Sequence, residues 1–213
     1  EAGQRVAVNL GGVEVADLTR GDTLVSPGAF VATRVCDARI EVLISERPIR
    51  HGARVRLHQG TSEVLGRVAI SSLVADRADG DQTSVAEIPP GRAAYVRLRL
   101  ESPLVLVGGD RFVLRAYSPS ITIAGGSVLD PIAPRAGIRT TTGRERFRRL
   151  DLLSESSDAL ALELRALALL IDEAGLAGVP VASLVYRLGL SAAAAEVCAA
   201  QIEAQGRAVR VER

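Results

Sequence analysis

The chain contains no lysine, no methionine and no tryptophan, and aromatic residues make up 3% of its 213 positions. Without lysine there can be no Gly-x-x-x-x-Gly-Lys-Ser/Thr phosphate loop, so this class of nucleotide site is excluded. With so few rings, any core must be built from Val, Leu, Ile and Ala. Only two cysteines occur, Cys36 and Cys198, and no Cys-x-x-Cys. That excludes a disulfide framework and fits two small buried apolar groups in a reducing compartment, by default the cytoplasm. No apolar run approaches the ~20 residues of a membrane span, and no signal peptide is visible, so no membrane partner is expected. The sequence opens at Glu1 in the middle of an apolar alternation, which reads as a piece of something longer.

What is present is arginine: all 26 basic residues, against 25 acidic ones, for a net charge of +1. The balance is uneven along the chain. Residues 1–134 are neutral, residues 135–149 carry +5, and residues 150–213 carry −4.

Residues 1–134 read as strands. Val6, Val8 and Leu10 alternate with Arg5, Ala7 and Asn9, and Val96, Leu98 and Leu100 with Arg97 and Arg99. Phe112 and Leu114 do the same between Arg111 and Arg115. A period of two places such residues on opposite faces of a sheet. Turn signals punctuate the runs at Gly11-Gly12, Arg20-Gly21-Asp22, Pro27-Gly28, Ala78-Asp79-Gly80-Asp81, Pro89-Pro90-Gly91 and Gly108-Gly109-Asp110. Short strands at this spacing predict a closed antiparallel barrel, which leaves no open edge.

Near Leu150 the period becomes helical. Leu160, Leu164, Leu167 and Ile171 share one face, with Ser157 or Asp158 as N-cap and Gly175 as C-cap. Pro180 can open a short helix carrying Leu184, Val185 and Leu188 that ends at Gly189. Ser191 caps a third helix with Ala194, Val197, Cys198 and Ile202, closed by Gly206, after which Val209 and Val211 alternate as a strand. This order predicts a winged helix-turn-helix; a plain helical bundle is the other reading. Residues 135–149, with six arginines and no clean period, read as a linker between the halves.

Catalytic patterns are missing. His51 and His58 have no His or Cys at metal-ligand spacing, and nothing resembles a nucleophile elbow, so no catalysis, metal or cofactor is expected in this chain. Two features could bind. One is the run from Arg47 to His58, where Arg50, His51, Arg54, Arg56 and His58 would group near one barrel rim. Arginine forks match phosphate oxygens, and phosphate contacts dominate nucleic-acid affinity; ordinary solvated strand arginines are the alternative. The other is Arg144, Arg146, Arg148 and Arg149, which either touch RNA or pair with the acidic faces of barrel and helices.

Several stretches carry a family resemblance. Gly3-Gln4-Arg5-Val6-Ala7-Val8-Asn9-Leu10 and Leu18-Thr19-Arg20-Gly21-Asp22-Thr23-Leu24 resemble the closing strands of the second domain of elongation-factor-Tu-like proteins. His51-Gly52-Ala53-Arg54 through Gly60-Thr61-Ser62-Glu63-Val64-Leu65-Gly66-Arg67-Val68 is similar to the third-domain segment that faces tRNA. Thr122-Ile123-Ala124-Gly125-Gly126-Ser127-Val128-Leu129-Asp130-Pro131 resembles the ending of bacterial selenocysteine-specific translation elongation factors, which then continue into winged helices. The resemblance implies a mainly β plus α chain, with a remnant of the second barrel at 1–28 and an elongation-factor-Tu-like third barrel at 29–134. After the Arg-rich linker at 135–149, a first winged-helix domain would occupy 150–213. It further implies selenocysteine incorporation at UGA codons, with selenocysteyl-tRNA, the ribosome and a selenoprotein mRNA hairpin as partners. GTP and Mg would belong to a GTPase domain outside this sequence. By the same resemblance Arg50, His51, Arg54, Arg56, His58 and Thr61 would meet the tRNA, and Arg5 would line the aminoacyl pocket. A histidine stands at 51 where the family has lysine, which weakens a charge-based contact there. The acidic balance of 150–213 argues for a spacer rather than an RNA binder. Two competitors are another translational GTPase with a similar barrel and a DNA-binding regulator with the barrel as sensor. The second would need cations on residues 191–205, which hold none.

Overall fold

In the computed structural model, residues 6–74, 85–151 and 159–211 are described. Six long strands close into an antiparallel barrel: β1 (Ala32–Val42), β3 (Arg54–Gln59), β4 (Ser62–Leu73), β6 (Ala93–Val105), β7 (Arg111–Ala116) and β8 (Thr122–Asp130). Around the barrel the order is β1-β6-β4-β3-β7-β8, and β8 returns to β1. A two-stranded ribbon of β2 (Ile49–Arg50) and β5 (Glu87–Ile88) flanks one end.

The period of two fills the interior. Cys36, Ala38, Ile40, Val55, Leu57, Val68, Ile70, Val96, Leu98, Phe112 and Leu114 all point into one core. Phe112 is the one aromatic ring there, and Gly126 makes room for it: a Cβ at 126 would lie 2.7 Å from the end of the ring and 2.4 Å from the Arg39 carbonyl oxygen. Both cysteines are free and buried, as their isolation in the sequence suggested. Burial pushes the Cys36 thiol far up, and burial with a hydrogen bond to Glu163 brings Cys198 to about 11.

Residues 6–31 form no strand. The expected strand at Val6, Val8 and Leu10 is corrected: both valines are exposed, and an alternating segment without a neighbouring strand has no ladder to join. The turn at Arg20-Gly21-Asp22 does form, with the Asp22 carboxylate accepting from the Thr19 backbone N–H at 2.7 Å. Arg5, Ala78-Asp79-Gly80-Asp81, Ser157 and Asp158 lie outside the described residues.

The linker reading is also corrected. Residues Thr141–Asp151 form a helix, α1. Thr140 starts it, its Oγ1 accepting from the Gly143 N–H at 3.0 Å. Phe147 and Leu150, three apart and so on one face, are buried against Tyr95 and Leu129 of the barrel. Three more helices follow: α2 (Ala159–Ala174), α3 (Ser183–Leu188) and α4 (Ala192–Ala204). The left-handed Gly189 ends α3, and the Ser191 hydroxyl accepts from Ala194 N–H at 3.1 Å to start α4. The strand expected at Val209 and Val211 is not formed among the described residues, and Val197, placed on the inner face by periodicity, is exposed. Helix, short helix, helix is therefore present without its wing. No helix among the described residues is long and apolar enough to cross a membrane.

The helices are seated on the outside of the barrel through buried ions. Asp37 on β1 faces Arg97 across the β1–β6 ladder and accepts from its Nε and Nη2 at 2.7 and 3.0 Å. Arg146 of α1 enters between them. It donates to Asp37 at 2.7 Å, to Asp130 at the end of β8, and to Glu173 of α2 at 2.6 Å. Arg187 of α3 completes the set with a 2.6 Å bond to Asp130. Three arginines thus meet three carboxylates. Burial pushes the Asp37 carboxyl up, opposed by Arg97 and Arg146; burial also penalises the Arg146 charge, but Asp130, Glu173 and Asp37 outweigh it. Close backbone contact supports the same seat: Gly108 N–H donates to the Tyr186 carbonyl at 2.8 Å, and a Cβ at 108 would meet the Arg187 oxygen at 2.3 Å.

Candidate nucleic-acid interface

Opposite strand faces sort the arginines of the barrel. Where Val55 and Leu57 turn inward, Arg54, Arg56 and His58 turn outward. Across the ladders Arg54 stands opposite Arg67 on β4, and Arg67 opposite Arg99 on β6. On the other side Arg56 stands opposite Arg115 on β7. Like charges directly opposite each other destabilise a sheet, so a band of five arginines in register carries a cost that an anionic ligand would relieve.

Two carboxylates face the band. Glu101 accepts a two-point fork from Arg54, Nε at 2.8 Å and Nη2 at 2.7 Å. Glu63 accepts from Arg56 at 2.5 Å, with His58 Nε2 at 3.9 Å from its other oxygen and without a hydrogen-bond partner. These hydrogen bonds hold both glutamates below the ordinary carboxylate range. Beneath them lies Tyr117, whose ring centroid is 4.4 Å from the Arg54 guanidinium carbon and 5.4 Å from that of Arg56. Arg67 gives a hydrogen bond to the Gly52 carbonyl at 3.2 Å, and Arg99 is exposed.

The expected rim is therefore split. Arg54, Arg56 and His58 sit together, and Thr61 is exposed at the tip of the β3–β4 turn beside them. Arg50 belongs to the β2–β5 ribbon, 3.6 Å from Glu87, and reaches the band only across an open groove of about 560 Å3 that it lines with Arg47, Arg54, Tyr117 and Ile121. His51 turns the other way. Its Nδ1 accepts from the Ile70 N–H at 3.0 Å and lies 2.9 Å from Arg139, so the proton sits on Nε2 and the ring ties the β2–β3 turn to the segment before α1. The grouping of all five residues at one rim is corrected accordingly.

Desolvation first, then Arg139 and Arg99, hold the His51 pKa below its ordinary value. A histidine depressed in the folded state takes up its proton later than in the unfolded chain. Stability from this site is thus present at neutral pH and is lost as pH falls from about 6.5 through the folded pKa. Chemical denaturation between pH 7.5 and 5 should show a steeper acid loss for the parent than for His51→Asn, whose amide oxygen keeps an acceptor but cannot titrate. Equal slopes would remove His51 from the account.

Arg99, Arg115, Glu101 and Tyr117 join the band without having been expected there from sequence, and Glu63 and Arg67 were expected only as members of the segment similar to a tRNA-facing one. Each strand shows its own alternation, and only the register brings the arginines together. Of the Arg-rich run, Arg146 is buried in the ion cluster, while Arg148 lies 3.7 Å from Glu145 and Arg149 4.0 Å from Asp172.

Comparison with known proteins bears on the barrel as a whole. Residues 36–135 match the sequence model of the selenocysteine-specific elongation factor β-barrel domain. A selenocysteine-specific elongation factor of Desulfomicrobium baculatum is 33% identical over 184 residues, 86% of this chain and 26% of that protein. The one from Haemophilus influenzae is 30% identical over 166 residues, 77% of this chain and 24% of its own length. The one from Escherichia coli K12 is 33% identical over 167 residues, 76% and 23%. The chain thus spans about a quarter of the length of the curated relatives it matches. With a closed barrel over the matched residues and a shared stretch running on into the helices, the chain belongs to the selenocysteine-specific elongation factor family.

Proposed function

We propose that this chain is the part of a selenocysteine-specific elongation factor that holds selenocysteyl-tRNA, gripping its sugar-phosphate backbone on the outer face of the barrel. The observation that carries the reading is the cross-strand arginine band Arg99–Arg67–Arg54 with Arg56–Arg115 beside it. A-form RNA offers side chains little to read in its deep major groove, so shape and phosphate contacts carry such a grip. Thr61 and His58 border the band, and Arg50 and Arg47 extend it across the groove. Arg5 keeps its proposed place in the aminoacyl-pocket wall. GTP with Mg would be handled by a GTPase domain of the whole factor, and the mRNA hairpin and ribosome would be met by its other parts.

Helix α4 exposes Glu196 and carries no cation, so residues 150–213 serve as a spacer fixed to the barrel rather than as a second RNA surface. A filter-binding salt titration against a selenocysteine tRNA transcript, duplex DNA and a random hairpin tests the reading. The tRNA should bind tightest and weaken with salt, and Arg54→Ala or Arg67→Ala should each lower the salt slope by about 1. A preference for DNA, or slopes unchanged in both variants, would reject it.

A further inference from the structure

The two halves of the arginine band differ in one respect. Arg54 and Arg56 are already occupied, whereas among the described residues Arg67 and Arg99 make no ion pair with a carboxylate. The occupation is of a particular kind. Glu101 meets Arg54 with two nearly equal bonds, 2.8 and 2.7 Å, the same two-point seat a guanidinium offers to a phosphate. Tyr117 keeps both guanidiniums in place from below, so neither arginine needs its glutamate to stay oriented. Glu63 and Glu101 are themselves exposed, and such surface pairs exchange partners at little cost.

We infer that Glu101 and Glu63 are built-in competitors for the phosphate seats of Arg54 and Arg56, which limit how tightly and how long the barrel holds RNA. This rests on the tRNA-holding reading above. An incoming backbone lands first on Arg67 and Arg99, where no carboxylate must be displaced. Full engagement then requires one phosphate to replace Glu101 on Arg54 and another to replace Glu63 on Arg56. The carboxylates remain next to the seats and retake them as the RNA lifts, so release needs no desolvated, unpaired arginine. A carrier that must surrender its cargo gains from such a counterweight, because affinity is set chiefly by dissociation rate.

The experiment uses the 213-residue chain and a selenocysteine tRNA transcript, with dissociation followed by stopped-flow competition at fixed salt. Glu101→Gln should tighten binding about two- to fivefold, mostly as slower dissociation, since an exposed ion pair contributes on this scale. The same change in an Arg54→Ala background should gain nothing, because the seat it frees is gone. Glu41→Gln serves as the control, an exposed acid on β1 in register with Ala93 and Gly125, away from the band. An equal gain in both backgrounds, a gain no larger than that of the control, or a loss of affinity would overturn the inference. If Arg54→Ala and Arg67→Ala weaken binding while Glu101→Gln does not tighten it, the tRNA-holding reading stands and the competitor role falls. If neither arginine variant weakens binding, the reading itself fails.

Discussion

Arg146→Ala should cost about 3–5 kcal/mol of stability, the loss expected when one member of a buried ion cluster is removed and its partners stay behind. The side chain is 6% exposed and serves three carboxylates on three different elements, Asp37 on β1, Asp130 on β8 and Glu173 on α2. Once it is gone, Arg97 still pairs with Asp37 and Arg187 with Asp130, but each buried carboxylate keeps one guanidinium where it had two, and the exposed Glu173 loses its partner. The protein can respond only by protonating an acid, admitting water or letting the helices lift away. Urea unfolding followed by far-ultraviolet circular dichroism should show the loss. Limited proteolysis should cut the helical module of the variant sooner than the barrel. Adding Asp37→Asn to Arg146→Ala should cost less than the two changes summed, since both remove the same Arg146–Asp37 bond. A loss below about 1 kcal/mol would mean that water reaches the cluster and that it is a surface network.

This cluster also accounts for the charge pattern of the sequence. The strongly basic run at 135–149 and the acidic helical half are not two surfaces awaiting separate partners. In large part they cancel: Arg146 is neutralised inside, Arg149 approaches Asp172, and Arg97 donates to the Ala136 carbonyl at 3.0 Å on the way into α1. What remains without a carboxylate partner among the described residues is Arg67 and Arg99 of the barrel band, beyond the edge of α1. The charge left for a polyanion is therefore in the half of the chain whose net charge is zero.

Much of the barrel was legible in sequence because its signal is local. Val96, Leu98 and Leu100 alternate whatever they pair with, and the turns at Gly108-Gly109 and Pro89-Pro90-Gly91 follow from the backbone freedom of glycine and the fixed φ of proline. Register is not local. Arg54, Arg67 and Arg99 come together only because β3 pairs β4 and β4 pairs β6, and no spacing within one strand encodes that. The same limit hid the inward role of Arg97, two residues from an exposed arginine on the same strand face: α1 covers one and leaves the other. Helix α2 was half read. Its Leu160, Leu164, Leu167 and Ile171 stripe does pack toward α3 and α4, but Ala166 and Leu169 bury a second face against α1 and the barrel. A helix apolar most of the way round is a helix covered on two sides. Helix α1 went unread because its threonines and Gly143 are poor helix formers and its arginines, though good ones, leave no apolar period. Its cap at Thr140 and the Phe147–Leu150 pair were the only local marks.

Phe147→Ala is expected to have an effect of similar size, about 3–5 kcal/mol, by a different route. The ring is 1% exposed and lies against Tyr95, centroids 5.6 Å apart and planes at 22°, in a seam with Leu129, Leu150, Ala166 and Leu169. Few large apolar groups are available to fill the space it would leave, since the chain has three phenylalanines and no tryptophan. Tyr95 is tethered by its hydroxyl, which donates to the carboxylate of Asp151, one turn further along α1, at 2.8 Å, and this restrains it from swinging in to close the cavity. Phe147→Leu, which keeps most of the volume, should recover more than half of the loss; Arg146→Lys, which keeps the charge but loses the fork to three carboxylates, should recover little. The contrast separates packing from ion geometry at one helix. If Phe147→Ala and Arg146→Ala both left the unfolding midpoint in place, α1 would not be what fastens the helices to the barrel. The helical module would then have to be fastened by the Gly108–Tyr186 backbone contact, the Arg187–Asp130 pair and the packing of Ala166 and Leu169 on the barrel.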